Sequence, residues 1–197
     1  MNIGVDIDGV LTNLERMILD YGTKRCVDEN LLIELDLSQY DLEKAFNWTA
    51  EQEEEFWNMY LVQYVKESEP RTFAPQIIKR LQQQGDKIYI ITARNDYGMP
   101  KEYLGKMQNL TKKWLKKHHI KYEKLIFAQD KEKLQQCFNN NIDVMIEDSP
   151  SNIQYMSEKM KVIKFDCQYN KNVSNENVIT AYSWYHIYKI IKELKGE

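Results

Sequence analysis

The chain has 197 residues, of which 43% are hydrophobic and 29% charged, and its formal net charge is −3. This length and apolar content predict one domain with a buried core, or one domain with a modest insertion, and exclude disordered and collagen-like chains. The sequence has neither the roughly 20 consecutive apolar residues of a membrane span nor the basic start and apolar run of a signal peptide. Its three widely spaced cysteines are typical of a reduced protein, so we expect a cytoplasmic location without membrane association.

The charge is distributed unevenly along the chain. Residues 28–69 contain 12 acidic and 2 basic side chains, a local net charge of −10, which leaves +7 for the rest. Such a break predicts an acidic module inserted into a more basic body, although most of the individual glutamates are typical of a solvated helical face. Because the acidic module would repel nucleic-acid polymers, we expect none among the partners.

Five short apolar runs predict buried strands, because each is rich in Ile, Val or aromatic residues and is too short for a helix. The runs are 3–7, 87–92, 124–128, 142–146 and 162–165. Helical patterns separate them, at about 75–84, 101–117, 131–139, 150–159 and 182–194. This alternation predicts an α/β fold, a Rossmann-like doubly wound sheet of five parallel strands joined by right-handed crossovers.

The segment 16–72, directly after the first strand, shows helical patterns and no convincing strand. Thr49 and Gln52 have the spacing of a capping box, which predicts a helix start. Two apolar stripes follow at four-residue spacing, Phe56/Tyr60/Tyr64 and Trp57/Leu61/Val65. A helix that is apolar around so much of its girth is expected to pack between partners. We therefore predict an α/β core formed by 1–15 and 73–197 and a small helical cap formed by 16–72.

The strongest chemical signal follows the first strand. Asp6 and Asp8 are two residues apart, so they share a face of a regular strand, and Gly9 permits a sharp turn. Two carboxylates beside a buried apolar strand cost free energy unless something compensates them, and they invite a divalent cation. One Asp here would more often cap a turn, but the whole run from Asp6 to Thr12 favours a functional site.

Polar side chains also follow three other predicted strands. Thr92 ends the second, Lys131 comes shortly after the third, and Glu147 and Asp148 follow the fourth. In open parallel sheets, ligands bind outside the carboxyl ends of the strands, near the point where the strand order reverses. These side chains are therefore expected at one edge of the sheet, where a lysine can neutralise an anionic ligand.

In this order, the residues resemble the motifs of the haloacid-dehalogenase-like superfamily of phosphohydrolases. The first motif, DxDG followed by a hydrophobic residue and Thr, matches 6–12. Thr92 matches the second motif, and Lys131 matches the third, with Lys133 as the alternative. The pair Glu147-Asp148 matches the fourth motif.

The helical insertion is similar, in position and size, to the cap of the cytosolic type-C 5′(3′)-deoxyribonucleotidases. The acid pair followed by Pro150 adds to this likeness. At Glu147 the sequence departs from the pattern, because such nucleotidases usually have Asp there. The departure leaves open which member of the pair is the inner metal ligand, and Asp148 is expected to be that ligand.

The resemblance implies a Mg²⁺-dependent phosphomonoesterase that works through an aspartyl phosphate. Asp6 would be the nucleophile. Asp8 would first protonate the leaving oxygen and then deprotonate the attacking water. Mg²⁺ would be held by Asp6, the main-chain carbonyl of Asp8 and Asp148. Dehalogenases of the superfamily lack an acid two residues after the nucleophile, so Asp8 favours phosphate chemistry.

The substrate-binding residues are expected on both the core and the cap. By the resemblance, Thr92, Ala93 and Lys131 would bind the phosphoryl oxygens, where charge builds up in the transition state. Trp48 lies in the loop before the long cap helix, and we predict that a nucleobase stacks on it, although a place in the core is equally consistent. For Trp57, inside the helical stripe, a place in the core is favoured.

Other interpretations of the sequence stay open. The substrate is expected to be a (deoxy)nucleoside monophosphate, but a sugar phosphate or another small metabolite fits the same core motifs. A regulatory module that binds phosphate without turnover is a third possibility. Arg94 lies close enough to Thr92 to enter the site, yet an ion pair with Asp96 or with the cap explains it equally well. A homodimer could form between the acidic cap and the basic face carrying Lys112, Lys113, Lys116 and Lys117.

Overall fold

The computed structural model describes the backbone of residues 1–197 and every side chain except that of Asp130. The strands are β1 (Asn2–Val5), β2 (Lys87–Thr92), β3 (Lys124–Phe127), β4 (Val144–Glu147), β5 (Lys161–Phe165) and β6 (Val178–Ala181). They form one parallel sheet in the order β3-β2-β1-β4-β5-β6. The predicted α/β fold is confirmed, with six strands instead of five. The additional strand, β6, lies at the edge of the sheet and is mostly half-buried, although three of its four residues are apolar.

Eight α-helices connect and cover the strands. They are α1 (Leu14–Asp28), α2 (Leu42–Phe46), α3 (Ala50–Glu67), α4 (Ala74–Gln83), α5 (Met107–Lys117), α6 (Asp130–Asn139), α7 (Pro150–Ser157) and α8 (Trp184–Lys195). The helix predicted at 101–117 is interrupted. A short 3₁₀ turn occupies Lys101–Tyr103, and Gly105 adopts a positive φ of 75° that breaks the helical path before α5 begins. In the described part of the chain, no helix combines the length and apolar composition needed to cross a membrane.

Both faces of the sheet are covered by helices. On one face, β1 and its neighbours pack with α4, α5 and α8 around Ile78, Trp114 and Ile187. On the other face, α6 and α7 contribute Leu134 and Ile153 to a second cluster. This two-sided burial explains why the central strands are apolar at almost every position.

The first three helices pack into a third hydrophobic cluster, centred on Phe46 and Phe56. The predicted capping box at the start of α3 is confirmed, because Thr49 and Gln52 each accept a hydrogen bond from the other's main-chain N–H. Met99, in the connection after β2, and Met107, the first residue of α5, also join this cluster. The segment after β2 therefore supports the cap, and the division of the chain at 16 and 72 stays a prediction.

Candidate active site

The candidate site lies where the strand order reverses. Strand β1 pairs with β2 on one side and with β4 on the other. Strands β2 and β3 therefore extend the sheet in one direction from β1, and β4, β5 and β6 extend it in the opposite direction. Val5, at the end of β1, is level with Ile90 and Ile146 in the neighbouring strands. The carboxyl ends of these three strands form the crevice in which ligands of open α/β sheets bind.

A tight turn follows β1 and carries the first motif. The main-chain N–H groups of Leu11 and Thr12 both donate to the carbonyl of Ile7, at 2.8 and 2.9 Å. Gly9 has a positive φ of 84°, and a Cβ atom at this position would overlap the carboxylate of Asp148. Glycine is therefore required twice here, for the turn and for the close approach of Asp148.

Three buried carboxyl groups meet beside this turn. Asp6, Glu147 and Asp148 each offer one oxygen, and these oxygens lie within 4.8 Å of one another. The ammonium group of Lys133, which is buried on α6, lies 2.9 Å from a carboxylate oxygen of Asp6 and 2.9 Å from one of Glu147. One ammonium group cannot neutralise three carboxylates, so the remaining negative charge calls for either protonation or a cation, which these three oxygens are close enough to hold. An all-oxygen donor set fits a hard divalent ion such as Mg²⁺.

The pKa values of this cluster reflect its burial. Burial raises the pKa of Asp6 to about 8, against the opposing effect of Lys133 and with further repulsion from Glu147. The pKa of Asp148 is also raised, by burial and then by the nearby Glu147 and Asp6. Burial by itself would lower the pKa of Lys133, but the two carboxylates raise it well above its usual value. Without a cation, the cluster therefore favours protonated carboxyl groups at neutral pH.

Several hydrogen bonds fix the acid pair at the end of β4, formed by Glu147 and Asp148. One oxygen of Glu147 accepts hydrogen bonds from the main-chain N–H groups of Asp148 and Ser149, both at 3.1 Å. The carboxylate of Asp148 accepts a hydrogen bond from the hydroxyl of Tyr169. The side-chain amide of Asn170 donates to the main-chain carbonyl of Asp148 at 2.8 Å. Both Glu147 and Asp148 thus belong to the cluster. The expectation that Asp148 is the inner metal ligand stays a prediction.

The carboxylate of Asp8 points away from the cluster, toward Arg94. Nη2 of Arg94 lies 2.7 Å from Oδ1, and Nε lies 2.9 Å from Oδ2. The hydroxyl of Tyr64, on α3, donates to Oδ1 at 2.8 Å and lies 2.6 Å from the hydroxyl of Thr12. Burial would raise the pKa of Asp8, but Arg94 and then Tyr64 lower it below its usual value. Arg94 therefore pairs with Asp8, and its predicted alternative partner Asp96 instead accepts main-chain hydrogen bonds.

The structure brings Lys133, and not Lys131, to Asp6. Lys131 is exposed on α6, whereas Lys133 is buried. Successive residues of an α-helix are rotated by about 100°, so two residues apart point to nearly opposite sides. Only one of the two lysines can therefore face the cluster. The expectation for Lys131 is corrected by this geometry, and the alternative position is the one beside the carboxylates.

Of the two candidate tryptophans, Trp48 takes the place in the core that was left open as an alternative to base stacking, whereas Trp57, for which the core was favoured, lines the cleft. Trp48 is buried in the cap, where its ring stacks on Phe46 with centroids 4.5 Å apart, so it does not reach the cleft. Trp57 lines the cleft together with Leu61 and Tyr64. Trp57, Leu61 and Tyr64 are spaced by four and three residues, which places them on one face of α3. This spacing is the sequence signal that could have identified them as a group lining the cleft.

The residues expected to bind phosphoryl oxygens from β2 are at the same edge. Thr92 is buried, and its hydroxyl accepts a hydrogen bond from the main-chain N–H of Arg94 at 3.3 Å. Ala93 lines the cleft directly, beside the charged groups. Sequence reasoning missed Tyr64 and Tyr169 as site residues, because their contacts with the carboxylates join segments that are far apart in the chain.

Several known proteins are similar to this chain in sequence or in fold. Residues 1–196 match the model of the family described as 5′ nucleotidase, deoxy (pyrimidine), cytosolic type C protein. A nucleotidase from Clostridium acetobutylicum is 28% identical over 197 residues, which cover 98% of this chain and 95% of that protein. A HAD-superfamily hydrolase from Ehrlichia chaffeensis has a TM-score of 0.56 at 14% identity, with 98% of this chain and 97% of that chain covered. A β-phosphoglucomutase from Clostridium difficile has a TM-score of 0.61 at 15% identity, with coverages of 98% and 95%. The two structural similarities concern the fold.

Proposed function

The chain belongs to the cytosolic type C 5′-nucleotidase family and is a phosphoric monoester hydrolase, and we propose that it hydrolyses (deoxy)nucleoside monophosphates with Mg²⁺ through an aspartyl phosphate. The proposal rests mainly on one observation, namely that the carboxylates of Asp6 and Asp8 have different surroundings. Asp6 lies in the buried cluster with Lys133, whereas Asp8 is turned toward Arg94 at the cleft. Two carboxylates in different surroundings suit a nucleophile and a proton-transfer group.

In the first step, an oxygen of Asp6 attacks phosphorus in line, and the bond from phosphorus to the ester oxygen breaks. Lys133 lies against the same carboxylate, and its positive charge stabilises negative charge on the transferring group. Mg²⁺ would be held by Asp6, Asp148 and the main-chain carbonyl of Asp8, with Glu147 close by, and would screen the repulsion between phosphate and carboxylate. Thr92 and the backbone at Ala93 bind further phosphoryl oxygens.

Asp8 handles the protons of both steps. Arg94 and Tyr64 lower its pKa, so Asp8 must take up a proton before it can protonate the leaving oxygen, and the approach of the negatively charged phosphate favours that uptake. The carboxylate that results then accepts a proton from the water that hydrolyses the aspartyl phosphate. Its hydrogen bonds with Arg94 and Tyr64 fix the carboxylate in one orientation at the cleft. This orientation suits transfer to an oxygen that enters from the cleft side.

The walls of the cleft favour a substrate with a nucleobase over a sugar phosphate. Besides charged groups, the cleft is lined by the apolar and aromatic side chains of Trp57, Leu61, Tyr97 and Met107, and Tyr40 lies near the carboxylate cluster. A base stacked on an aromatic side chain gains roughly 1–3 kcal/mol. A sugar phosphate has no base that could stack on these aromatic side chains.

The test is a comparison of nucleoside monophosphates with sugar phosphates, each assayed for phosphate release with Mg²⁺ and with EDTA. We expect the nucleotides to have the higher kcat/KM and EDTA to remove the activity. A preference for sugar phosphates would replace the nucleotidase proposal with that of a metabolite phosphatase. Activity that persists in EDTA would contradict the metal dependence.

A further inference from the structure

Arg94 has one guanidinium nitrogen that the protein leaves without a partner. Two of its nitrogens hold Asp8, with Nε 2.9 Å from one carboxylate oxygen and Nη2 2.7 Å from the other. The third nitrogen, Nη1, is buried and has no hydrogen-bond partner among the described residues. The whole side chain is only 3% exposed, so bulk water does not satisfy this nitrogen either. A buried charged donor without an acceptor costs free energy and calls for an explanation.

The position of Arg94 points to a ligand as the missing acceptor. Arg94 lines the same cleft as Asp6, Asp8 and Lys133. Arg94 also pairs with Asp8, two residues after Asp6, so an anionic ligand held at Asp6 and Asp8 lies near the guanidinium group. Phosphate esters carry several oxygens that accept charge-assisted hydrogen bonds, and arginine suits them better than lysine does because its donors are arranged in a planar fork.

Aromatic neighbours restrict where the guanidinium group can turn. Its central carbon lies 5.7 Å from the ring centroid of Tyr64 on α3 and 5.9 Å from that of Trp114 on α5. These rings and the Asp8 carboxylate constrain the group on several sides. The orientation of Nη1 is thus set by the fold before any substrate arrives, which lowers the entropic cost of binding.

We propose that Arg94 is a further substrate-binding residue, whose Nη1 donates a hydrogen bond to an oxygen of the phosphate ester while Nε and Nη2 hold Asp8 beside it. The proposal rests on the proposed phosphatase function. One planar group then fixes both the substrate oxygen and the carboxylate that exchanges a proton with it. A lysine at this position would supply one point charge and could not hold both partners in a fixed geometry.

The experiment compares Arg94→Ala and Arg94→Lys with Arg16→Ala. Arg16 is an exposed residue of α1 whose ion pair is with Asp20, so it controls for the loss of an arginine. Titration calorimetry with inorganic phosphate in the presence of Mg²⁺ measures the anion contact, and steady-state kinetics measure kcat and KM separately. Guanidinium chloride at low concentration, tested on Arg94→Ala, measures chemical rescue.

We expect Arg94→Ala to raise the Kd for phosphate about tenfold or more and to lower kcat about 100-fold, as for a lost transition-state donor. Arg94→Lys should recover little of either, and Arg16→Ala should match the wild type. Low guanidinium should raise the activity of Arg94→Ala and leave that of the wild type unchanged. If Arg94→Ala fails to fold, as judged by circular dichroism, the phosphate affinity of Arg94→Lys decides instead.

Unchanged phosphate affinity in the folded Arg94 variants would overturn the substrate contact, even if kcat fell. Failure of the proposed function gives a different result, because the wild type would then release no phosphate from any monophosphate. The calorimetric comparison needs no turnover, so it decides the role of Arg94 in either case.

Discussion

The carboxyl edge of the sheet and the helical cap use their buried side chains for different purposes. At the edge, the fold buries Asp6, Lys133 and Glu147, which are charged groups that each cost free energy to remove from water. In the cap, the buried side chains are mostly apolar, as in the aromatic cluster around Phe46 and Phe56, and the buried Arg25 is paired with Glu29 and Glu55. The difference indicates that the edge is organised for chemistry and the cap interior for packing.

The two regions meet at Tyr64. This residue belongs to the cap helix α3, yet its hydroxyl contacts Asp8 and Thr12 of the turn after β1. Trp57, on the same helix face, also lines the cleft. The cap therefore contributes one face of α3, together with Tyr40, to the site, and substitutions can separate these residues from the cap interior and from the sheet edge.

The largest effect is expected at the sheet edge for Asp6→Asn. An amide cannot serve as the nucleophile, so phosphate release should fall by about 10⁴-fold or more. The amide oxygen can still accept the hydrogen bond from Lys133, and the melting temperature should stay near that of the wild type. Asp20→Asn, at an exposed ion pair on α1, is the control. An active Asp6→Asn protein would refute the assignment of the nucleophile.

A second comparison uses the two lysines of α6. Lys133→Met removes the ammonium group from two buried carboxylates, and breaking such a pair costs roughly 3–5 kcal/mol, less if the carboxyl groups take up protons. We also expect kcat to fall about 100-fold. Lys131→Met changes an exposed residue and should alter stability by no more than about 0.5 kcal/mol. Urea denaturation and steady-state kinetics measure both effects, and equal results for the two variants would contradict the assigned lysine.

Within the cap, we expect Trp57→Ala to impair substrate binding and Trp48→Ala to impair stability. Loss of a stacking surface predicts that Trp57→Ala raises the KM for nucleotides about tenfold. Trp48→Ala leaves a cavity in the cap interior and should lower stability by about 3 kcal/mol or more with little effect on KM. Thermal melts and KM values distinguish the two. A raised KM in Trp48→Ala alone would place the base-binding surface elsewhere in the cap.

The smallest effect concerns pH and the metal. The pKa of Asp6 is about 8 in the folded protein and about 3.8 in its ordinary state. Between these values the folded state retains a proton that the unfolded state has lost, so the metal-free protein loses stability as pH rises toward 8. Mg²⁺ binds the deprotonated carboxylate, and its affinity should therefore increase over the same range.

We thus expect saturating Mg²⁺ to raise the melting temperature more at pH 8 than at pH 6, by about a few degrees. Asp6→Asn should reduce this difference, because the group that titrates has been removed. Scanning calorimetry at the two pH values, with and without Mg²⁺, provides the measurement. An equal gain at both pH values would argue against Asp6 as a metal ligand.

The sequence was most informative where a motif is contiguous. Asp6 and Asp8 adjoin an apolar strand, and the acid pair at 147–148 ends another, so the rule for parallel sheets was enough to bring them to one edge. Strand β6 was not predicted although three of its four residues are apolar, since so short an apolar run is a weak signal for a strand. The helix at 101–117 was predicted unbroken because a helical Gly105 and one with positive φ look the same in sequence.

Residues whose roles depend on helix rotation and packing could not be placed from the sequence. Lys131 and Lys133 have the same chemistry, and only the rotational setting of α6 against the sheet buries one of them. Trp48 and Trp57 are both aromatic, and their placement depends on how α2 and α3 pack together. The contact between Arg94 and Asp8 joins two strand ends that are 86 residues apart. A homodimer and a cytoplasmic location stay predictions.

The most direct test of the account is to look for the phosphoryl group on the protein. Wild-type enzyme is mixed with a nucleoside monophosphate and Mg²⁺, quenched with acid during the first turnover, and analysed by peptide mass spectrometry. The account predicts a phosphoryl adduct on Asp6 that is absent in Asp6→Asn. Active turnover with no adduct in the wild type at any quench time, or an adduct on a different residue, would contradict it.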